Sequence, residues 1–255
     1  MFSKLGVQLY TIRDYMHTAE DVRASFKRIK SLGYDEAQTA GSEIPYEEFA
    51  QIAKDEGIEI IGTHENFDRM VNDFPEAVRI QKVLGAKYMG IGGRGIMDRD
   101  TIKNFITEAN QIGEKLVPYG MKFTFHHHGH EFIKFPDGKT RMDYLVEGLN
   151  KDTTSFCIDT YWLQDGGADV RHWIEKLNGR IDILHLKDMK KILVDNDWRK
   201  NYYAEIGQGN LWWEGILSSA ENVGVKHYVV EQDFSDDPFH SLQLSSEYLH
   251  KNFMK

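Results

Sequence analysis

The chain has 255 residues, of which 41% are hydrophobic and 28% charged, and its formal net charge is −9 at pH 7. These values are typical of a globular protein, and no run approaches the roughly 18 apolar residues that a membrane span needs. The acidic balance also disfavours a large phosphate-binding face, so we expect a small-molecule substrate and neither a nucleic acid nor a membrane as partner.

The opening residues and the single cysteine bear on the compartment. The opening MFSKLGVQLYTIRD has no apolar segment followed by a small-residue cleavage site, which predicts a cytoplasmic location. Cys157 cannot form an internal disulfide and lies in an apolar run. This pattern predicts a buried, reduced side chain that is not a nucleophile.

One architectural unit is repeated down the chain: a helical stretch, a glycine suited to a left-handed cap, and a short apolar run. In the first unit, residues 5–10 read as a strand, residues 19–32 have helical apolar spacing, and Gly33 ends the helix. The same kind of glycine precedes five further apolar runs, at Gly57, Gly85, Gly120, Gly179 and Gly224. The repeat is one of architecture and not of sequence.

The later helices complete the pattern. Asp98 is predicted to cap a helix that ends at Pro118 and Gly120, and the last helix is predicted to begin near Pro238. Counting apolar runs places strands at about residues 5, 35, 60, 88, 123, 156, 183 and 228. Eight alternating strand–helix units without a linker predict an α/β fold, a single (β/α)8 TIM barrel spanning residues 1–255.

The longest interruption of this pattern covers residues 187–210, between the seventh strand and its helix. A connection of that length is usually functional, which predicts a lid or a substrate loop. It contains the motif GQG, which is a weak dinucleotide-site signal because it does not follow a strand. Turn glycines are the favoured interpretation.

The stretch MKFTFHHHGHEF, residues 121–132, is the most distinctive in the chain. If it begins as a strand, His126 and His128 point to one face and His127 to the other. Two imidazoles beside the carboxylate of Glu131 would suit a metal ion. Taken alone, a solvated histidine-rich turn is an equally good interpretation.

Polar residues at the other strand ends decide between these interpretations, because barrel chemistry lies at the carboxyl ends of the strands. Each apolar run ends in a polar or glycine-containing sequence, which we place at Gln8 and Tyr10, Glu36, His64 and Glu65, Gly92 and Gly93, His126 and His128, Asp159, His185 and Lys187, and Glu231 and Asp233. Singly, Asp159 could cap a turn, His185 could be a core histidine and Glu231 could face solvent. Their coincidence at one end of different strands favours a site for Mn²⁺, Co²⁺, Zn²⁺ or Fe²⁺, or for Mg²⁺ with added waters.

Other residues at the predicted mouth have open roles. Glu36 and His64 are predicted to contact substrate or to support the ligands, since their strands lie across the barrel from the sixth to the eighth. Lys187 either neutralises an oxyanion or is a solvated lysine. The aromatic side chains can pack against a sugar or can serve as ordinary packing, and they are Tyr10, Tyr161, Trp162 and Trp198.

The chain resembles, almost end to end, the sugar phosphate isomerase/epimerase family of the xylose isomerase-like TIM-barrel superfamily. The matching blocks are GVQLYTIRD, YDEAQTAG, FHHHGHEF, IDTYWLQDGG, RIDILHLKDM, EIGQGNLWW and VVEQD. The resemblance implies one divalent metal ion held by Glu, Asp, His and Glu, of which Asp159, His185 and Glu231 match the last three.

At the fifth strand this chain departs from that pattern, because His126 stands where the family usually has a glutamate. The sequence resembles the branch whose fifth strand reads His-Asn-His and then Glu-Phe, with His127 replacing the asparagine. Either His126 binds the metal or Glu131 folds back to supply a carboxylate, and His126 is favoured because it ends the strand. Glu205, in the EIGQGN block, is assigned to substrate binding.

The resemblance implies an isomerase or epimerase that abstracts a proton from the carbon next to a carbonyl of a sugar or sugar phosphate. Glu231 is the preferred acid/base, with Glu131 or His128 on the other face and Lys187 assisting. The alternatives are a dehydratase like the inosose dehydratases, a lyase on a 3-keto sugar, an apurinic-site endonuclease or an idle sugar-binding barrel. Association into a homo-oligomer is compatible with the sequence.

Overall fold

The computed structural model describes residues 2–96, 98–194, 197 and 199–254. Trp198, which we place at the mouth from sequence, lies outside the described residues. No helix among the described residues is long and apolar enough to cross a membrane.

Eight parallel strands close into a barrel, which confirms the predicted fold. Each strand pairs with its neighbours in chain order, and the last strand pairs with the first. The barrel strands are β1 (Gly6–Gln8), β2 (Glu36–Thr39), β3 (Glu59–His64), β4 (Tyr88–Ile91), β5 (Lys122–His126), β6 (Thr154–Asp159), β7 (Ile181–Leu186) and β10 (His227–Val230). Two further strands, β8 (Asp188–Lys190) and β9 (Tyr202–Ala204), form a separate antiparallel hairpin.

Helices surround the barrel. The α-helices of the described residues are α1 (Ala19–Ser31), α2 (Tyr46–Asp55), α3 (Phe67–Asn72), α4 (Phe74–Leu84), α5 (Arg99–Leu116), α6 (Arg141–Gly148), α7 (Thr160–Asp165), α8 (Val170–Lys176), α9 (Trp213–Asn222) and α10 (Pro238–Asn252). Short 3-10 helices cover Leu9–Tyr15, Val117–Tyr119 and Gly129–Phe132. The six glycines predicted to end helices all have φ between +68° and +91°.

The predicted caps are also present. Asp98 accepts the backbone N–H of Thr101 at 2.8 Å and begins α5. Asp237 does the same for His240 at 3.0 Å and begins α10 at Pro238. In both helices a carboxylate satisfies an N–H that the first turn leaves without a helical partner.

The inside of the barrel explains where the polar residues stand. A compact apolar cluster of inward-facing residues fills its middle, formed by Ile61, Tyr88, Cys157, Ile183 and Val229. Side chains two residues apart on a strand share a face. The next inward positions after Cys157, Ile183 and Val229 are therefore Asp159, His185 and Glu231, one layer nearer the carboxyl-terminal mouth.

The predicted end of the second strand is wrong. Glu36 begins β2, which continues to Thr39, so Glu36 lies at the amino-terminal mouth. There its carboxylate lies 2.9 Å from His227 Nδ1 and 3.7 Å from Lys4 Nζ. Gln38, two residues further along the same face, occupies the end of the strand that we had assigned to Glu36.

The long connection after β7 is organised by one carboxylate. Asp188 is buried and accepts backbone N–H groups of Gly207, Gly209 and Leu211 at 3.0 to 3.2 Å, together with the indole N–H of Trp213 at 2.7 Å. A Cβ at Gly209 would collide with this carboxylate, and Gly207 has a φ of +84°. The GQG motif therefore consists of structural glycines, as favoured from the sequence.

Candidate metal centre and substrate cavity

Four side chains from four neighbouring strands meet at the carboxyl-terminal mouth. They are His126 of β5, Asp159 of β6, His185 of β7 and Glu231, which follows β10. Each offers a ligand atom within 4.8 Å of the others, and all four are at most 5% exposed. We call these four residues the metal group.

His126 is oriented for ligation through one nitrogen. Its Nδ1 lies 3.1 Å from the carbonyl oxygen of Gly92, and because a carbonyl only accepts, Nδ1 must carry the proton. Nε2 is then left with a free lone pair, and it lies 3.7 Å from Asp159 Oδ2. Among the described residues, neither of these two buried atoms has a hydrogen-bond partner.

His185 is oriented by a chain of hydrogen bonds that starts at the backbone. The N–H of Tyr10 donates to Gln8 Oε1 at 3.2 Å, which turns Gln8 Nε2 towards Gln38 Oε1 at 3.0 Å. That same Gln38 oxygen lies 2.6 Å from His185 Nε2 and accepts its proton. His185 Nδ1 is thus the atom that faces the metal group, 3.1 Å from Glu231 Oε2. A partner on one ring nitrogen commonly fixes which nitrogen binds a metal.

Asp159 has two tasks. Its Oδ1 accepts the backbone N–H of Trp162 at 3.0 Å and caps α7, so the turn-capping interpretation is also correct. Its own N–H donates to Nε2 of the buried His127 at 3.1 Å. His127 faces away from the mouth, as predicted, and ties the end of β5 to the end of β6. Oδ2 alone remains for the metal group.

Lys187 is not a solvated lysine, so that alternative is wrong. It is 1% exposed, and its Nζ lies 2.8 Å from Asp233, 3.2 Å from Glu231 and 3.6 Å from Asp159. Burial opposes the charged form, but these three carboxylates raise the pKa of Lys187 above its usual value. The ammonium is therefore a fixed charge at the edge of the metal group.

Burial and charge also set the protonation of the other groups. Burial alone would raise the pKa of Glu231, but Lys187 and His185 hold it well below its usual range. Burial, reinforced by His126, lowers the pKa of His128 to about 3 and lowers that of His64 well below its usual value. At neutral pH the cavity thus offers the ionised carboxylate of Glu231 and the neutral imidazoles of His64 and His128.

A cavity of about 660 Å³ opens above the metal group. Its described lining combines imidazoles, carboxylates and aromatic rings, and consists of Tyr10, Ala40, His64, Gly92, Gly93, His126, His128, Trp162, Lys187, Tyr203, Glu231, Asp233 and Phe234. His64 is central, since its ring centre lies 5.2 Å from that of His126 and 5.7 Å from that of His185. Tyr10, His64 and Trp162 thus all line this cavity.

Glu131 is not part of this lining and is fully buried. Its Oε2 accepts the backbone N–H of His128 at 2.7 Å, and its Oε1 lies 2.9 Å from His130 Nε2. Glu131 therefore groups with His128 and His130, and the structure does not bring it to the metal group or to the cavity. The structure therefore does not support the expected direct acid/base contact of Glu131 with substrate.

Glu205 is likewise not among the cavity-lining residues. Its carboxylate accepts the hydroxyl of Ser241 at 2.8 Å and is only part-buried. The structure therefore does not support a direct substrate contact for Glu205.

Sequence reasoning missed three contributors to the site. Gln38, together with the strand-end residue Gln8, orients His185, while Tyr203 and Phe234 line the cavity. Gln38 could have been found by continuing the inward face of β2 beyond Glu36. Tyr203 and Phe234 lie on β9 and on the loop after β10, and no periodic pattern placed them.

A family model described as xylose isomerase-like TIM barrel matches residues 26–249. Among curated proteins, an inosose dehydratase of Clostridium perfringens is 22% identical over 154 residues, covering 55% of this chain and 51% of the relative. A probable endonuclease 4 of Mycoplasmopsis synoviae is 26% identical over 106 residues, covering 38% and 34%. The chain thus spans about half or less of the length of these curated relatives.

Solved structures agree in fold. A sugar phosphate isomerase/epimerase from Parabacteroides distasonis superposes with a TM-score of 0.86 over 100% of both chains, at 23% identity. The IOLI protein, solved with a zinc atom, superposes with a TM-score of 0.72 over 97% of each chain, at 15% identity. At such identities the likeness shows a shared barrel.

Proposed function

This chain belongs to the xylose isomerase-like TIM-barrel family, and from that premise we propose that it is a divalent-metal-dependent sugar isomerase or epimerase. The observation that carries the proposal is a pair of buried atoms, His126 Nε2 and Asp159 Oδ2, that have no hydrogen-bond partner among the described residues and lie beneath a cavity of about 660 Å³. Buried polar atoms are normally satisfied, and exceptions call for an unseen partner such as an ion.

The donor set fits one divalent metal ion. His126, Asp159, His185 and Glu231 would hold it, and two imidazoles with two carboxylates suit Mn²⁺, Zn²⁺, Co²⁺ or Fe²⁺, with Mg²⁺ also acceptable if waters are added. When bound, such an ion polarises a sugar carbonyl and its neighbouring hydroxyl, which acidifies the C–H group between them. His126 takes the place that the family usually gives to a glutamate, and its fixed Nε2 supports it as the ligand of β5.

The chain's own residues supply the proton chemistry. Glu231 is ionised, buried and inward-facing, so its carboxylate can take the proton from the carbon next to the carbonyl. The Lys187 ammonium lies 3.2 Å from Glu231 and, because its pKa is raised, it stabilises a developing oxyanion instead of acting as a base.

His128 lines the same cavity as a neutral imidazole, and the carboxylate of Glu131 holds its backbone N–H. We assign it to proton return from another side of the substrate, as a relay: one ring nitrogen gives its proton to the carbon while the other takes a proton from water, and Glu231 releases to solvent the proton that it took. Return to the neighbouring carbon gives isomerisation, and return to the opposite face of the same carbon gives epimerisation. Tyr10, His64 and Trp162 position the sugar.

A dehydratase or lyase activity is the second candidate, and the similarity to an inosose dehydratase favours it. The same carbanion next to a carbonyl can expel a β-hydroxyl or a glycosidic oxygen. Such a leaving group needs a proton, and the proton that Glu231 has taken from the carbon can be passed to it. The two activities share every step up to the fate of the carbanion.

Endonuclease activity is disfavoured despite the partial likeness to endonuclease 4. The described cavity lining includes Glu231 and Asp233, and its Lys187 is already paired with both. A nucleic-acid backbone needs uncompensated lysine or arginine side chains. We therefore assign a small carbohydrate as the partner, and a nicking assay on an abasic duplex should show no cleavage.

Deuterium exchange tests the proposal directly. The protein is loaded with Mn²⁺ and incubated in D₂O with ketoses, inososes and 3-keto glycosides, and the products are read by NMR after chelation of the metal. Deuterium at one carbon, with the molecular formula otherwise unchanged, is the expected result. Loss of water or of an alcohol would assign the lyase activity instead. Failure of every carbonyl substrate to exchange a proton would contradict both.

A further inference from the structure

We propose that the substrate is an uncharged glycoside of at least two units, whose second unit rests on an aromatic surface at the rim of the cavity. This inference rests on the proposed function and names its substrate class. It excludes a sugar phosphate as the preferred ligand. Charge, aromatic exposure and cavity shape each support it.

The charge of the cavity leaves no place for a phosphate. Among the described residues that line it, Lys187 is the only lysine or arginine. That ammonium is 1% exposed and lies within 3.6 Å of Asp159, Glu231 and Asp233. The formal charges of these three carboxylates, the ammonium and the proposed divalent ion sum to zero. A phosphate ester carries a charge of about −1.5 to −2 at neutral pH and would enter without a counter-charge.

Arg13 is a cation at the rim, but its geometry gives it another task. Its Nη1 donates to the carbonyl oxygens of Tyr10 at 2.8 Å and Asp233 at 3.0 Å. Its guanidinium lies 4.1 Å from the centre of the Tyr10 ring and 5.7 Å from that of Phe234. Arg13 thus joins the loops that follow β1 and β10 and holds the two rings on either side of itself.

Tyr10, Tyr203 and Phe234 form what we call the rim surface. Phe234 is 67% exposed and Tyr10 40% exposed, although both line the cavity. The ring of Phe234 lies 5.9 Å from that of Tyr203, which itself packs 4.6 Å from Tyr161. Exposed aromatic rings held in place beside a polar cavity mark a binding surface, and a ring face suits the C–H face of a sugar.

A second cavity lies beside the main one. It has a volume of about 290 Å³, shares Tyr10 and Ala40 with the main cavity, and adds the polar groups of Arg13, Ser42 and Glu43. Tyr10 of the rim surface therefore lines both cavities. A volume of about 660 Å³ in the main cavity alone is in the range that encloses a drug-sized ligand.

Binding measurements on the metal-loaded protein test the inference. The probes are pyranose monosaccharides, disaccharides with α and β linkages, their 3-keto forms and the corresponding 6-phosphates, each titrated by calorimetry. We expect disaccharides to bind about tenfold more tightly than their monosaccharides. F234A should remove most of that difference between disaccharides and monosaccharides. The control is Y119A, because Tyr119 is an exposed aromatic residue (44%) outside the cavity lining. This variant should change the affinity for neither monosaccharides nor disaccharides.

Two outcomes would contradict this inference without contradicting the proposed function. One is equal binding of mono- and disaccharides, unaffected by F234A, alongside deuterium exchange into a monosaccharide. The other is a sugar phosphate that binds more tightly than its parent sugar and loses that advantage in R13Q. Absence of binding by every saccharide to a protein that holds its metal would contradict the proposed function as well.

Discussion

Asp159 accepts the backbone N–H of Trp162 at 3.0 Å through Oδ1, while its Oδ2 faces the metal group without a hydrogen-bond partner among the described residues. One carboxylate thus begins a helix and, in the proposed metal site, would also provide a ligand. D159A should therefore abolish metal binding and turnover, and should also cost about 1 kcal/mol from loss of the cap. Metal content per chain and thermal unfolding measure the two effects separately.

Asp169 supplies the matched control for this variant. It caps α8 through the N–H of His172 at 2.7 Å and is absent from the metal group. D169A should cost a similar free energy of unfolding and retain full metal content and turnover. Full metal-dependent activity in D159A would disprove the assignment of the metal group.

Lys187 is expected to matter for both stability and catalysis. Because K187M leaves buried carboxylates without their counter-charge, it should lower the free energy of unfolding by about 3–5 kcal/mol when the metal has been removed with a chelator. Loss of an oxyanion donor should reduce kcat by about 10²–10³. Urea unfolding and steady-state kinetics measure these effects.

Lys122 is the control for Lys187, because it pairs with Asp182 at 3.4 Å at the other mouth. Asp182 also has Lys226 at 2.7 Å, so K122M should cost under about 1 kcal/mol and leave kcat unchanged. Equal losses in the two variants would argue against a special role for Lys187.

Glu131 predicts a pH dependence of stability. Burial raises the pKa of its carboxyl to about 7 in the folded protein, from an ordinary value of 4.5. Below pH 4.5 the Glu131 carboxyl is protonated in both the folded and the unfolded protein. As pH rises towards 7, this carboxyl ionises only in the unfolded protein, so the free energy of unfolding falls by about 3 kcal/mol. E131Q cannot ionise and should lack this loss.

Urea unfolding of the chelated protein between pH 4.5 and 7.5 measures the difference between wild type and E131Q. E147Q is the control, because Glu147 is exposed and pairs with Lys139 at the surface. Its curve should parallel that of wild type. Parallel curves for E131Q as well would show that Glu131 ionises normally.

Glu36 and His64 test the assignment of the two mouths. Glu36 interacts with Lys4 and His227 at the amino-terminal mouth, so E36Q should cost about 1 kcal/mol and change kcat/KM by less than about twofold. His64 lines the cavity, and H64Q should lower kcat/KM at least about tenfold. The reverse ranking in kinetic assays would contradict the strand bounds described above.

Substitution of Asp188 should weaken substrate affinity without changing metal binding. It anchors the segment that carries Tyr203 into the cavity wall. D188N loses charge-assisted hydrogen bonds and should cost about 2–3 kcal/mol, raise KM and leave metal content at wild-type levels. In D197N, which changes an exposed partner of Arg199 in the same connection, KM should stay unchanged.

The barrel and most of the metal group were predictable because their signals are local. Apolar runs that end at Asp159, His185 or Glu231 locate both the strand and its inward face, since strand side chains alternate. The short strand β2, EAQT, has no apolar run. Its end could not be located from composition, and Glu36 was placed one inward position too early.

Other residues escaped prediction because their position depends on the path of the chain in space. Glu131 folds back onto the N–H of His128 within a 3-10 turn, whereas Phe234 reaches the cavity on a loop fixed by Arg13. The cytoplasmic location and the association into a homo-oligomer stay predictions.

The connection after β7 is fastened at two places. Asp188 and the groups it accepts from, as far as Trp213, all lie on one piece of chain. The same piece is also tied to α10, because Ser241 donates to Glu205 and the N–H of Ile206 donates to Ser245. Exchange of residues 188–213 between two barrels would therefore carry Tyr203 into the new cavity in its native place only if the matching face of α10 were exchanged with them.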